Sequence, residues 1–219
     1  MKDACREDGG DDGIEFDPSS VKAERISLDA EYEGVRAEVQ GNLGATRVRM
    51  HIDVGFGDAT TPVPVEVDYP VILDLPAPRL RGYAKESVVA EKFEAMVALG
   101  RIKSRMKDFY DIWFLSRTFD FDGPLLARAV GDTFARRGTA VPSEPLPLSD
   151  GFAEGAEKAA QWTAFVRRMR LTDLAPREFG DVVRELRGFL GPLSLSLSAG
   201  SGFDSTWNAP GPWEAHGEE

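Results

Sequence analysis

The stretch "SRMKDFYDIWFL", residues 104–115, places two aspartates, Asp108 and Asp111, one helical turn apart among residues that favour burial. On a helical wheel Asp108 falls inside the apolar arc formed by Phe109, Ile112, Trp113 and Leu115, and Asp111 borders it. Either aspartate taken alone reads as an ordinary helix-start residue or a stripe-edge surface group. A chemical role needs a partner, and "ESVVAEKFEAMVAL" offers one. There Lys92 lies within the arc of Val88, Leu99, Met96, Val89, Phe93 and Val97, while Glu91 and Glu94 are expected to point outward. An ammonium among core residues must snorkel to the edge or pair with a carboxylate or a phosphate, because an unpaired buried charge is costly.

A third element is Asp53, at the end of a predicted strand and just before "GFGD", where glycines permit a sharp turn and close approach of a ligand. A strand-end carboxylate is a suitable hard-oxygen ligand for Mg2+, which combines one or two protein carboxylates with phosphate oxygens and water. Basic residues precede the aspartates: Arg101, Lys103, Arg105 and Lys107 in "RIKSRMK". Such a patch on an acidic chain suits one anion, a triphosphate or an RNA end, better than a broad duplex-binding surface; a solvated basic turn is the alternative on charge alone.

The elements that must carry these residues follow from pattern. The chain has 219 residues, 42% apolar and 29% charged, ordinary for one globular domain or two small ones. No run has the length of a membrane span and the N-terminus lacks the apolar stretch of a signal peptide, so a cytoplasmic protein with no membrane partner is expected. The single Cys5 excludes an internal disulfide framework, and only His51 and His216 are available, which argues against a histidine-built zinc site. The net charge is −11, of which residues 1–33 contribute −7 through eleven acids against four bases. Residues 1–13 read as a flexible acidic N-terminus.

Residues 14–75 read as β. "GVRAEVQG" and "TRVRMHIDV" both alternate apolar with polar side chains, and with "GNLG" between them they predict an antiparallel hairpin. After the proline-marked connection "DLPAPRLRGY", helical periodicity predicts helices over 86–99, 105–118, 123–136, 155–169 and 176–190. The expected domains are a β domain over 14–83, a helical domain over 84–192 and a tail over 193–219, partly docked through Phe203, Trp207 and Trp213.

The runs "HIDVGFGDA", "YPVILDLPAPRLRGY", "ESVVAEKFEAMVALG" and "SRMKDFYDIWFL" together resemble the AbiEii/AbiGii nucleotidyltransferase toxins, the toxin half of bacterial abortive-infection toxin-antitoxin pairs. The resemblance runs from about Ile14 to Trp213 and is most specific in the combination of AEK with RxKDxYD. It implies an α+β fold, a partial polymerase-β-type nucleotidyltransferase mixed sheet followed by a helical domain. It also implies transfer of a nucleotidyl group from an NTP to RNA, such as tRNA, or to another acceptor, with Mg2+ support and a cognate antitoxin as partner. Carried over by residue, Lys92 is the lysine of AEK, and Asp108 and Asp111 are the aspartates of RxKDxYD, all three catalytic. Arg105 and Lys107 are that motif's basic residues, near the phosphates, and Asp53 matches the last of the sheet's metal-binding carboxylates.

The pattern departs from the family at its start. The glycine-rich strand-to-helix turn and the strand with two aspartates one residue apart are not found, since "DGGDDG" at 8–13 has neither a strand before it nor an apolar helix after it. A chain that begins inside the catalytic sheet is expected, with an uncovered sheet edge. Two readings stand: a nucleotidyltransferase toxin, and a non-catalytic remnant that binds an antitoxin or a nucleotide.

Overall fold

Alternation in the N-terminal third becomes a three-stranded antiparallel meander, β1 (Ile14–Asp29), β2 (Tyr32–Leu43) and β3 (Thr46–Gly55), in that order. The computed structural model describes residues 1–7, 12–29, 32–55, 60–72, 74, 76–100 and 105–215, except the side chains of 27–29 and 32–33. It is a mixed α+β chain with small sheets and, among the described residues, six α-helices. The acidic glycine run at 8–11, the turn at 56–58 after Asp53, and Arg101 and Lys103 of the basic patch lie outside the described residues. The chain divides into two units, residues 1–59 and 60–219.

In the first unit the β2–β3 hairpin closes through the two-residue loop Gly44–Ala45, tighter than the four residues of "GNLG". Gly44 supplies the positive φ, 57°, that a two-residue hairpin turn favours. This register sets Val35 opposite Val54, Ala37 opposite Ile52 and Val39 opposite Met50 on one face. On the other face Arg36 lies opposite Asp53 and Glu38 opposite His51. Pro18, which has no N–H to give a ladder, sits in β1 where the pairing shifts between Asp17 and Lys22. Here side chains take over the bonding: Asp17 Oδ1 accepts from the Ser19 amide at 2.9 Å, and Ser20 Oγ accepts from the Gln40 amide at 2.9 Å. Only Val39 is buried among the described apolar side chains of this unit, and Val48, Ile52 and Val54 are exposed.

The second unit opens with an antiparallel pair, β4 (Val65–Asp68) and β5 (Arg79–Gly82). The helices are α1 (Lys85–Leu99), α2 (Met106–Thr118), α3 (Gly123–Arg136), α4 (Asp150–Ala153), α5 (Ala156–Arg168) and α6 (Phe179–Ser198). Asp122 caps α3 by accepting from the Leu125 amide at 2.8 Å, with Pro124 in the first turn. The last helix runs through Pro192, eight residues beyond its expected end at 190. Its apolar stripe explains this: Val182, Val183, Leu186, Phe189, Leu190 and Leu193 are all buried, so packing outweighs the hydrogen bond that proline removes. Against α6 pack residues of α2, α3, α4 and α5.

A three-stranded sheet joins β6 (Phe121–Asp122), β7 (Ser205–Trp207) and β8 (Trp213–Ala215) in that order. The tail is seated by aromatic side chains. The Trp207 indole donates to the Ser116 carbonyl at 2.6 Å, the Trp213 indole donates to the Phe189 carbonyl at 2.7 Å, and the Phe189 and Trp213 rings stack at 5.6 Å. Where β7 passes the start of α3 the approach requires glycine, since a Cβ on Gly123 would collide with the Ser205 carbonyl. No helix among the described residues is long and apolar enough to cross a membrane.

Candidate functional site

Burial of Met106 and Phe109 fixes the first turn of α2, and Phe109 packs edge-on to Phe179 of α6 at 5.0 Å and beside Phe152 of α4 at 5.9 Å. That anchoring carries Asp108 inward, as the wheel predicts: its side chain is 2% exposed, that of Asp111 20%. Asp108 is the third residue of the helix, where the amide-rich end favours a carboxylate.

On α1, Val89, Ala90, Phe93 and Met96 are buried, and Lys92 stands beside them with its side chain 20% exposed. The ammonium does not merely snorkel. Lys92 Nζ donates to Asp108 Oδ1 at 3.1 Å and lies 2.6 Å from Asp111 Oδ2, bridging both aspartates. Burial works to lower the Lys92 pKa, but the hydrogen bond to Asp111 and the charge of Asp108 outweigh it, so the net shift is upward and the ammonium stays charged.

Two further cations complete the cluster. Arg105 Nε stands 2.6 Å from Asp108 Oδ2, and Lys107 Nζ donates to Asp111 Oδ2 at 2.5 Å. The Arg105 approach lacks the alignment of a hydrogen bond, so Asp108 Oδ2 is buried and accepts none among the described residues. Among the described residues, three cations against two carboxylates leave a local surplus of one positive charge. Tyr110, in ring contact with Trp113 and Phe165, has its pKa raised by burial and by the Asp111 charge.

Five of the six predicted site residues thus meet in one cluster: Lys92, Arg105, Lys107, Asp108 and Asp111. The sixth, Asp53, belongs to the first unit. There Arg36 Nε and a terminal guanidinium nitrogen donate to its two oxygens at 2.7 and 2.8 Å, which holds its carboxyl below the usual carboxylate range. Both oxygens are therefore committed to a guanidinium, and Asp108 and Asp111 are committed to cations. This donor set does not form a metal cage by itself, and no cluster of three or more ligating side chains occurs among the described residues.

Two features of the second unit were not anticipated from the pattern. Glu94, expected to face solvent, is 3% exposed; it accepts from Arg137 at 2.7 Å and from the Thr139 hydroxyl at 2.7 Å, tying α1 to the end of α3. A cavity of about 570 Å³ adjoins the cluster, lined by Arg105, Met106, Lys107 and Asp108 together with Gln161, Ala164, Phe165 and Arg168 of α5. The spacing of Gln161, Phe165 and Arg168, four and then three residues apart, was the available signal that they share one face.

Comparison with known proteins adds one match. The family model described as "Nucleotidyl transferase AbiEii toxin, Type IV TA system" matches residues 1–185. No curated protein and no solved structure matches the chain.

Proposed function

Because the chain belongs to the AbiEii nucleotidyl transferase toxin family of type IV toxin-antitoxin systems, we propose that it transfers a nucleotidyl group from a nucleoside triphosphate to RNA, tRNA included, or to another acceptor. The observation that carries this reading is the lysine shared between two aspartates, with Arg105 and Lys107 alongside. A locally positive, partly desolvated cluster suits a polyphosphate and weakens it little by screening. In the reaction the acceptor hydroxyl oxygen forms a bond to the α-phosphorus, the bond from that phosphorus to the β-phosphate bridging oxygen breaks, and pyrophosphate leaves.

The roles follow from position. Lys92 offsets charge developing on the phosphates, Asp108 takes the hydroxyl proton, Asp111 holds Lys92 in place, and Arg105 and Lys107 bind phosphate oxygens. Mg2+ enters this reading as the counter-ion that a triphosphate would bring with it. The family implies a cognate antitoxin, and with an NTP as donor the protein acts in the cytoplasm.

The test is transfer of label from each α-labelled NTP to total RNA, with Lys92→Met as control. Label in RNA that the variant fails to transfer supports the reading; equal transfer by Lys92→Met removes Lys92 from the chemistry. A second reading, a non-catalytic protein that binds a nucleotide or an antitoxin, is favoured by the two-pronged hold of Arg36 on Asp53. Under it nucleotides bind calorimetrically while no label is transferred.

A further inference from the structure

Strand β3 ends the three-stranded sheet of the first unit, and among the described residues no strand pairs with its outer side. The two-residue turn fixes which backbone groups face that side. Leu43 and Thr46 close the turn as a hydrogen-bonded pair, and the register from there to Gly55 is unbroken. Val48, Met50, Ile52 and Val54 therefore bond to β2, while the amides and carbonyls of Arg47, Arg49, His51 and Asp53 point outward. The Gln40 amide agrees with this parity: opposite Arg49, it turns away from β3 and donates to Ser20 Oγ in β1. The other edge of the sheet is guarded. There β1 carries Pro18 at a shift in register, an irregularity that blocks further pairing, whereas β3 has no proline, bulge or lysine.

A regular exposed edge is a template for another strand, and the side chains of β3 narrow which one. Set antiparallel to itself about Met50, β3 brings Arg47 opposite Asp53 of the second copy, Val48 opposite Ile52, Arg49 opposite His51 and Met50 opposite Met50. The two-fold axis repeats each pair. Outward-facing residues meet outward-facing residues, as an antiparallel ladder requires, and the exposed Val48 and Ile52 pack on each other. Centring on Arg49 instead would oppose two guanidinium groups. Centring on His51 would give Asp53 to Arg49, which already lines a cavity with Glu38, and would leave Arg47, whose neighbour in β2 is Asn42, without an acid. Asp53 holds Arg36 through both oxygens and retains lone pairs for a second guanidinium. We propose that the first unit binds a second copy of this chain through β3 in the Met50-centred register. The two sheets join into one, with their apolar faces on the same side.

Self-association of the full chain tests this. A contact confined to one strand pair falls at the small end of specific interfaces, so sedimentation equilibrium should show a concentration-dependent monomer–dimer equilibrium rather than a permanent dimer. Arg47→Glu sets an acid against Asp53 at two symmetry-related places and should raise the dissociation constant about tenfold. His51→Pro removes an amide that β2 does not use, so it should keep the fold, read by circular dichroism and thermal melting, and abolish the dimer. Ile52→Lys, at an exposed position, should abolish it as well. Disulfide formation reads the register. In a Cys5→Ser background Met50→Cys puts its two thiols on a non-hydrogen-bonded pair, Cα atoms about 4.5 Å apart, and should cross-link under mild oxidation, whereas His51→Cys should not.

A monomer at every concentration would overturn the proposal. A dimer that survives His51→Pro but is lost in Ile52→Lys rests on the sheet face and overturns the edge contact, and cross-linking through His51→Cys in place of Met50→Cys overturns the register. Should the proline variant fail to fold, Arg47→Glu decides, since a dissociation constant it leaves unchanged overturns the pairing. None of these readouts involves nucleotide or RNA, so the outcome is separate from the transfer reading.

Discussion

Replacing Lys92 with methionine keeps the length and apolar stem and removes the charge that joins two helices. Among the described residues Asp108, 2% exposed, then keeps only the Arg105 ion pair, and Asp111 only that of Lys107. Breaking a buried pair and leaving its partner uncompensated costs about 3–5 kcal/mol. Because Arg105 still stands 2.6 Å from Asp108, roughly half of that, about 2 kcal/mol, is the expected loss. The Asp111 contact adds less than about 1 kcal/mol, because Lys107 still pairs with that carboxylate. For a unit of this size each kcal/mol moves the melting temperature by about 2–4 °C, so the variant should melt roughly 4–10 °C lower. Adding Asp108→Asn removes the stranded carboxylate and should recover most of the loss. The assay is thermal melting of the wild type, both single variants and the double variant, analysed as a cycle. An unchanged or higher melting temperature for Lys92→Met would refute the structural share assigned to this lysine. Transfer activity separates the remainder: if the double variant recovers stability but not transfer, Lys92 acts on the nucleotide, and if it recovers both, the lysine is only a counter-ion.

Alkaline pH should weaken the second unit. The pKa values of Lys92 and Tyr110 are both raised in the fold, so the stability they contribute is complete below their unfolded values, about 10.4 and 10, and is lost as pH rises beyond them; denaturant melts from pH 8 to 11.5 should show stability falling above about pH 10. Asp53 behaves oppositely: its lowered pKa gives stability that is present above about pH 3.9 and lost as pH falls, and Arg36→Ala should bring its carboxyl titration, read by NMR, back toward the ordinary range. Glu94→Ala, which removes a buried carboxylate that accepts from Arg137 and from the Thr139 hydroxyl, should cost about 3 kcal/mol in denaturant melts. Gly123→Ala should destabilise by about 1–3 kcal/mol through its collision with the Ser205 carbonyl, whereas Gly131→Ala, with open space at the same helix, should be neutral or stabilising.

Local patterns revealed the elements and the cluster, because periodicity reports burial directly. The helices over 85–99, 106–118 and 123–136 lie within a residue of their expected bounds, and the wheel of α2 correctly put Asp108 inside and Asp111 at the edge. What pattern could not supply was register and partners. Taking "GNLG" as the whole loop would set Asp53 opposite Tyr32; the two-residue turn sets it opposite Arg36, and an exposed candidate ligand becomes one arm of an ion pair. Glu94 fails for a related reason. A wheel sees one helix, and the guanidinium that makes its burial tolerable comes from the far end of α3. In α6 the expected end at 190 fell short, because the buried stripe continues past Pro192 to Leu193.

The tail has a consequence for the order of assembly. The bond from Trp207 to the Ser116 carbonyl joins residues 91 apart in the chain, and β6 meets β7 across a comparable span. Helices and the α1–α2 pairing involve close neighbours in sequence and form early, while a loop of that length must lose its freedom before the tryptophans seat. Phe121 and Phe189, which pack on each other and on the tail through Trp207, are expected to stay wet until the tail arrives. Indole fluorescence should lag far-ultraviolet circular dichroism during refolding, and in the cell that interval is when this chain is most exposed to proteases and chaperones.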